Sequence, residues 1–192
     1  MTDETRSIKK KIKKVLDKDR YQHTLGVAYT AASLAMRYGV DLERAFLAGL
    51  LHDCAKNIPN DDKFQLCRKY KVKLNDVEKK APYLIHAKLG ATLAEKLYGV
   101  KDDEIVNAIK YHTTGRPGMT LLEKIIFTAD YIEPGRSNAQ NLNEIRQLSF
   151  IDLDAAVTKI LYDTLQYLET KDQLIDPMTQ MTYDYYAGIR IK

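Results

Sequence analysis

Tyr38-Gly39-Val40-Asp41-Leu42-Glu43-Arg44-Ala45-Phe46-Leu47-Ala48-Gly49-Leu50-Leu51-His52-Asp53 is the stretch on which the fold turns. Gly39 suits the left-handed conformation that ends a helix, and Asp41 suits the cap of the next one. From Leu42 to Leu51 the run is apolar apart from Glu43 and Arg44. A connection this short makes the flanking helices antiparallel neighbours. His23 lies near the start of the first helix. The climb from His23 to Tyr38 is about 22 Å and the return from Asp41 to His52 about 16 Å, at roughly 1.5 Å per residue. The mismatch is about one helical turn, so both histidines lie near one end of the hairpin.

The scheme occurs again. Tyr98-Gly99-Val100 begins 14 residues before His112, as Tyr38-Gly39-Val40 begins 14 residues before His52. His86 opens the second hairpin, which climbs about 18 Å to Tyr98 and returns about 15 Å from Asp102 to His112. The chain has only 4 histidines, and every one falls on this scheme. If the two hairpin ends converge, one pocket holds all of them. The repeat is either a decayed duplication or a coincidence of spacing, and its geometry is the same in both cases.

Outward from these hairpins the pattern stays helical, with apolar residues three and four apart and little strand-like alternation. The predicted helices cover 5–17, 20–38, 42–56, 61–70, 76–80, 85–98, 103–112, 119–133, 139–147 and 151–170. Asn75 and Glu78 form a capping box, Asp102 caps the helix that follows it, and Pro59, Pro82, Pro117 and Pro134 fall between helices. Leu174-Ile175-Asp176-Pro177 reads as a turn, and Tyr183–Tyr186 as a short final helix. The expectation is an all-α fold of about nine to ten helices, a single domain over residues 1–192. Its motif region covers 18–137, with the helix and tail of 150–192 packed on it and the metal site between helices.

Composition narrows the function. The chain has 192 residues, 45% hydrophobic and 29% charged, and a net charge of +4. These values are ordinary for a globular domain with its own core. No apolar run is long enough to span a membrane, and Met1–Ser7 lacks a secretory apolar stretch, so a cytoplasmic location without membrane partners is expected. Cys54 and Cys67 do not have zinc-finger spacing, and Cys54 reads as a small packing residue. Lys9-Lys10-Lys11-Ile12-Lys13-Lys14 resembles a nucleic-acid arm. Ile8, Ile12, Val15 and Leu16 instead make an apolar stripe with the lysines as its wet face, and aromatics interleaved with the basic residues are missing. No nucleic-acid partner is expected.

The histidines need carboxylates to make a catalytic metal site. Asp53 adjoins His52. Asp130 lies in the otherwise apolar helix Leu121–Tyr131, where an aspartate is costly unless paired or metal-bound. Singly, each residue has a simpler role. His52 would be a hydrogen-bonded core histidine, Asp53 a surface or capping group, Asp130 a partner of Lys124 or Arg136, and His112 a helix-end cation. None of these roles explains the joint spacing. Histidine and carboxylate without thiolate suit iron, manganese, zinc or another divalent ion. A pair of ions would clamp a phosphate and activate a water. Lys56 follows Asp53 by one helical turn, Arg20 precedes His23 on the same face, Thr113 and Thr114 follow His112, and Arg136 closes the Asp130 segment. These make the phosphate-binding candidates, with arginine suited to bidentate contact.

The ordered set His23, His52-Asp53 and Asp130, with His86 and His112 between, resembles the HD superfamily of metal-dependent phosphohydrolases. Arg20-Tyr21-Gln22-His23, Leu51–Lys56, His86–Ala91, His112–Gly115 and Ala129–Arg136 together are similar to the bacterial YqeK family. The superfamily match spans about residues 18–137, and for the closer family the tail after residue 170 is matched least well. The closer resemblance implies a symmetrical bis(5'-nucleosyl)-tetraphosphatase, an acid-anhydride phosphohydrolase that uses iron and cuts diadenosine tetraphosphate into two ADP. It implies that His23, His52, Asp53 and Asp130 hold the first ion, and that His86 and His112 hold a second ion or the phosphates. Asp53, Lys56, His86 and His112 would be the catalytic set, with Arg20, Lys56, His86, His112, Thr113, Thr114 and Arg136 on the substrate. The alternatives are another HD-type nucleotide phosphohydrolase or phosphodiesterase, and a non-catalytic metal-containing nucleotide-binding regulator. A homodimer is compatible with all of them.

Overall fold

The computed structural model describes residues 1–190, and helices are the regular structure found there. In chain order they are α1 Asp3–Val15, α2 Lys18–Tyr38, α3 Leu42–Leu51, α4 Asn60–Tyr70, α5 Asp76–Lys80, α6 Ile85–Tyr98, α7 Asp103–Tyr111, α8 Leu121–Ile132, α9 Leu142–Leu148, α10 Leu153–Thr170 and α11 Pro177–Arg190, with a 3-10 turn at Pro82–Leu84 before α6.

Both hairpins form as their punctuation requires. Gly39 and Gly99 end α2 and α6 in the left-handed region, at φ 73° and 75°, where a Cβ would crowd the backbone. Asp41 Oδ1 accepts from the Arg44 N–H, and Asp102 Oδ1 accepts from the Glu104 and Ile105 N–H groups. The Asn75–Glu78 capping box is present on α5, and Thr120–Glu123 forms a second one on α8. Arg44 ties the hairpins together through Asp102 and Glu104, at 2.7 Å to each.

α8 is the central post. Leu122, Ile125, Ile126, Phe127 and Ala129 are buried on it, and it packs against α2, α3, α7 and α10. α10 rests on α8, and α11 rests on α10. Ile8 and Ile12 on α1 and Leu16 just after it are buried, and the lysines face outward. Val15 departs from the expected stripe. It is exposed at the last residue of the helix, on the rim of a surface groove it shares with Leu97 and Ile58.

Two larger departures concern helix ends. The helix expected over 42–56 stops at Leu51. The His52 ring donates through Nδ1 to the Gly49 carbonyl at 2.7 Å, occupying the acceptor that Asp53 N–H would use to continue the helix. The chain proceeds by tight turns, with Cys54 N–H on Leu51 O and Lys56 N–H on Asp53 O. The tail after residue 174 holds a full helix, not a short one. Asp176 Oδ1 accepts from the Met178 N–H at its start, and Pro177 takes the first position, where its missing N–H costs nothing.

Candidate metal centre

The starts of α2 and α6, the residues that follow α3 and α7, and the last turn of α8 meet at one place. They bring Arg20 and His23, then His86, then His52 with Asp53, then His112, then Asp130. Asp53 is the hub. Its Oδ2 lies 3.4 Å from His52 Nε2 and 3.9 Å from His23 Nε2. Its Oδ1 lies 3.2 Å from His86 Nε2 and 3.7 Å from His112 Nε2. Asp130 Oδ1 faces His23 Nε2 at 3.0 Å and His52 Nε2 at 3.9 Å. The two expected histidine pairs therefore form one chain of rings, with centroids 5.4, 5.0 and 5.1 Å apart from His23 through His52 and His112 to His86.

Each ring has the same orientation. Nδ1 of His52, His86 and His112 points at the carbonyl three residues earlier, at 2.7, 2.6 and 2.7 Å. A carbonyl only accepts, so Nδ1 carries the proton and the Nε2 lone pair faces the cluster. His23 achieves the same with a carboxylate, Nδ1 to Glu133 Oε1 at 3.1 Å. Glu133 is buried and its other oxygen accepts from the Gly135 N–H at 2.6 Å. Gly26, one turn after His23, leaves the room: a Cβ there would overlap Glu133 Oε2. The role of Glu133 was not expected from the sequence, although it sits three residues after Asp130.

The arrangement fits a metal ion. His23 Nε2, His52 Nε2 and Asp53 Oδ1 are buried without a hydrogen-bond partner, which a native interior rarely tolerates unless an ion or water completes it. His86 Nε2 and His112 Nε2 face each other at 3.1 Å, and two lone pairs at that distance need a proton or cation between them. Among the described residues, His23 with His52 and Asp130, and His52 with Asp53 and His112, each converge within 4.8 Å. His52 belongs to both sets.

Electrostatics agree. Burial would raise the Asp53 carboxyl, but His52, His112 and His86 overcome it and hold it well below the usual carboxylate range. Asp130 is lowered against burial in the same way by His23 and Arg136. Burial pushes His86 down to about 4, so its imidazole is neutral and free to ligate at neutral pH. Burial likewise lowers Lys56, against the attraction of Asp53 and Asp130.

Of the phosphate-binding candidates, most reach the cluster. Arg20 Nη1 contacts Asp53 Oδ2 at 2.8 Å, and Arg136 Nη2 contacts Asp130 Oδ1 at 2.7 Å. Lys56 stands on the turn after Asp53, not on a helix as expected, with Nζ 3.3 Å from His86 Nε2. Thr113 Oγ1 is 3.5 Å from that same nitrogen. Thr114 is not brought in. Its hydroxyl donates to the Gly115 carbonyl, and it lines, together with Thr113, a cavity that Lys110 and Met178 also border. Lys124 pairs with Asp154 and not with Asp130. An open groove of about 570 Å³, bordered by Arg20, His23, Glu133 and Arg136, forms the mouth.

A fold of helical hairpins around a histidine–aspartate centre defines a class, and the HD domain model matches residues 20–135. The chain belongs to the HD-domain family. It is similar to the symmetrical bis(5'-nucleosyl)-tetraphosphatase of Bacillus subtilis strain 168, 41% identical over 92% of this chain and 94% of that one. The protein of the same name from Staphylococcus aureus is 38% identical over 96% of each chain. The crystal structure of a predicted HD superfamily hydrolase involved in NAD metabolism from Clostridium acetobutylicum superposes with a TM-score of 0.91 at 38% identity, covering 95% of this chain and 96% of that one.

Proposed function

We propose that the chain is a symmetrical bis(5'-nucleosyl)-tetraphosphatase that cleaves diadenosine tetraphosphate into two ADP. The observation that carries it is the cluster itself, four outward Nε2 lone pairs and two carboxylates at the end of an arginine-flanked groove, in a chain similar over nearly its whole length to proteins of that name. His23, His52, Asp53 and Asp130 hold the first ion. His86 and His112 take a second ion or the phosphate oxygens. Iron is the proposed metal, with manganese and zinc as the other ions this donor set accepts. The bound metal supplies Lewis acidity and makes a water nucleophilic near neutral pH.

The protein side chains do the rest. Arg20 and Arg136 flank the mouth and anchor the phosphate chain on either side of the scissile bond. Lys56, sunk beside His86, donates to a central phosphate oxygen as charge grows there. Thr113 offers a neutral donor next to it. Water attacks a central phosphorus, the bridging oxygen leaves with the other half, and each half departs as ADP. ADP is a stable leaving group, so no strong general acid is required. Every residue named belongs to one chain, so a homodimer is compatible but not needed. Cys54 and Cys67 are both free and buried, as expected in a reducing cytoplasm. Among the described residues no helix is long and apolar enough to cross a membrane.

The test is product analysis. Protein with quantified metal is incubated with diadenosine tetraphosphate and the products are chromatographed. ADP alone is expected. ATP with AMP, or nucleotide bound without turnover, would overturn the proposal.

A further inference from the structure

The buried residues of α4 are Lys63 and Cys67. A lysine on the inner side of a helix is unusual, and Lys63 is only 4% exposed. α4 packs there against α6 and the 3-10 turn that precedes it, the segment that delivers His86. Lys63 Nζ reaches back one turn to Asn60 Oδ1 at 3.4 Å, a long contact to a neutral amide. Asp61 and Asp62, its neighbours in sequence, are exposed. Among the described residues no carboxylate pairs with the Lys63 ammonium.

The charged groups that Lys63 does feel are those of the cluster. Burial lowers its ammonium, Lys56 lowers it further, and Asp53 raises it. Lys56 acts more strongly than Asp53, so Lys63 lies beyond Lys56 as seen from the hub. Asp53 is already engaged by Arg20 at 2.8 Å and by the four imidazoles. Two ammonium groups sunk near each other without a carboxylate of their own are costly. An apolar side chain of the same length would fill this space without that cost. An anion that reaches both groups offsets it. Lys56 stands 3.3 Å from His86 Nε2 and meets the phosphate nearest the cluster. Lys63, further out, meets the next one.

Resting on the hydrolase function above, we propose that Lys63 is a substrate-binding residue that takes the second phosphate out from the cluster. It makes the site favour a chain of phosphates over a single one. The test is calorimetric titration of the metal-loaded full chain and its Lys63→Met and Lys63→Arg variants with inorganic pyrophosphate and, separately, with orthophosphate. Loss of a charge-assisted contact is expected to weaken pyrophosphate by about tenfold in Lys63→Met. Orthophosphate binding and metal content should stay unchanged, and Lys63→Arg should remain close to wild type. Pyrophosphate affinity unaffected by Lys63→Met, or an equal loss for both anions, would overturn the proposal. So would a Lys63→Met protein that fails to fold or to hold metal, because the ammonium would then serve the fold. Wild-type protein that binds pyrophosphate through Lys63 but releases no ADP from the tetraphosphate would instead overturn the hydrolase assignment and leave the contact standing.

Discussion

Asp53 carries two oxygens to four imidazoles, and its neighbours exist to keep those imidazoles aimed. Three rings are aimed by backbone carbonyls, and only His23 depends on a side chain, Glu133. Glu133→Gln should therefore lower metal affinity by about 10–100-fold while leaving helix content intact. Competition with a chelator measures it, and an unchanged affinity would remove Glu133 from the centre. Lys56 is different, because it touches His86 without being a ligand. Lys56→Met should cut kcat at least about tenfold with metal content unchanged. Loss of metal along with rate would make Lys56 a structural residue. That these residues gather at one place was legible in the sequence because histidines are few and Asp130 sits in an apolar helix. Glu133 was not legible, because its partner is reached only when α2 and α8 pack across Gly26. Thr114 stands outside the cluster because its hydroxyl turns back to the Gly115 carbonyl.

The helices were legible through their ends. Gly39, Gly99, Asp41 and Asp102 set the hairpins, and hairpin length set which residues meet. Gly99→Ala puts a Cβ into the left-handed region at φ 75° and should cost about 1 kcal/mol. Thermal unfolding should shift down by about 2–4 °C, with metal content unchanged. The end of α3 was missed because the His52 ring replaces a backbone donor, a competition that periodicity does not register. α11 was underestimated for another reason: its buried face is Thr179, Thr182 and Tyr186, which follow helical spacing without being aliphatic. The clasp of α1 onto α3 depends on pH. Glu43 accepts from the Thr2 N–H at 2.7 Å and the Thr2 hydroxyl at 2.9 Å. Burial opposes ionisation there, but hydrogen bonds from Thr5 and Thr2 lower its pKa from 4.5 to about 2. A lowered folded pKa means this stabilisation is complete above pH 4.5 and lost as pH falls toward 2. The stability gap between wild type and Glu43→Gln should narrow across that window in acid titrations followed by circular dichroism. A gap that stays constant would show that the carboxylate charge plays no part.

At the scale of the molecule, two hairpins, a central post and a C-terminal pair of helices place the ionisable groups at one end and the apolar mass behind them. The fold therefore holds a cluster in which His23 Nε2, His52 Nε2 and Asp53 Oδ1 are buried without a hydrogen-bond partner, a donor set suited to a divalent cation. The most direct measurement is a titration of metal-stripped protein with ferrous iron under anaerobic conditions, following bound metal and ADP release from diadenosine tetraphosphate in the same samples. ADP release should rise in step with bound iron and yield ADP as the sole nucleotide product. Full turnover in the metal-stripped protein, or iron bound in the cluster with no ADP released, would contradict the account.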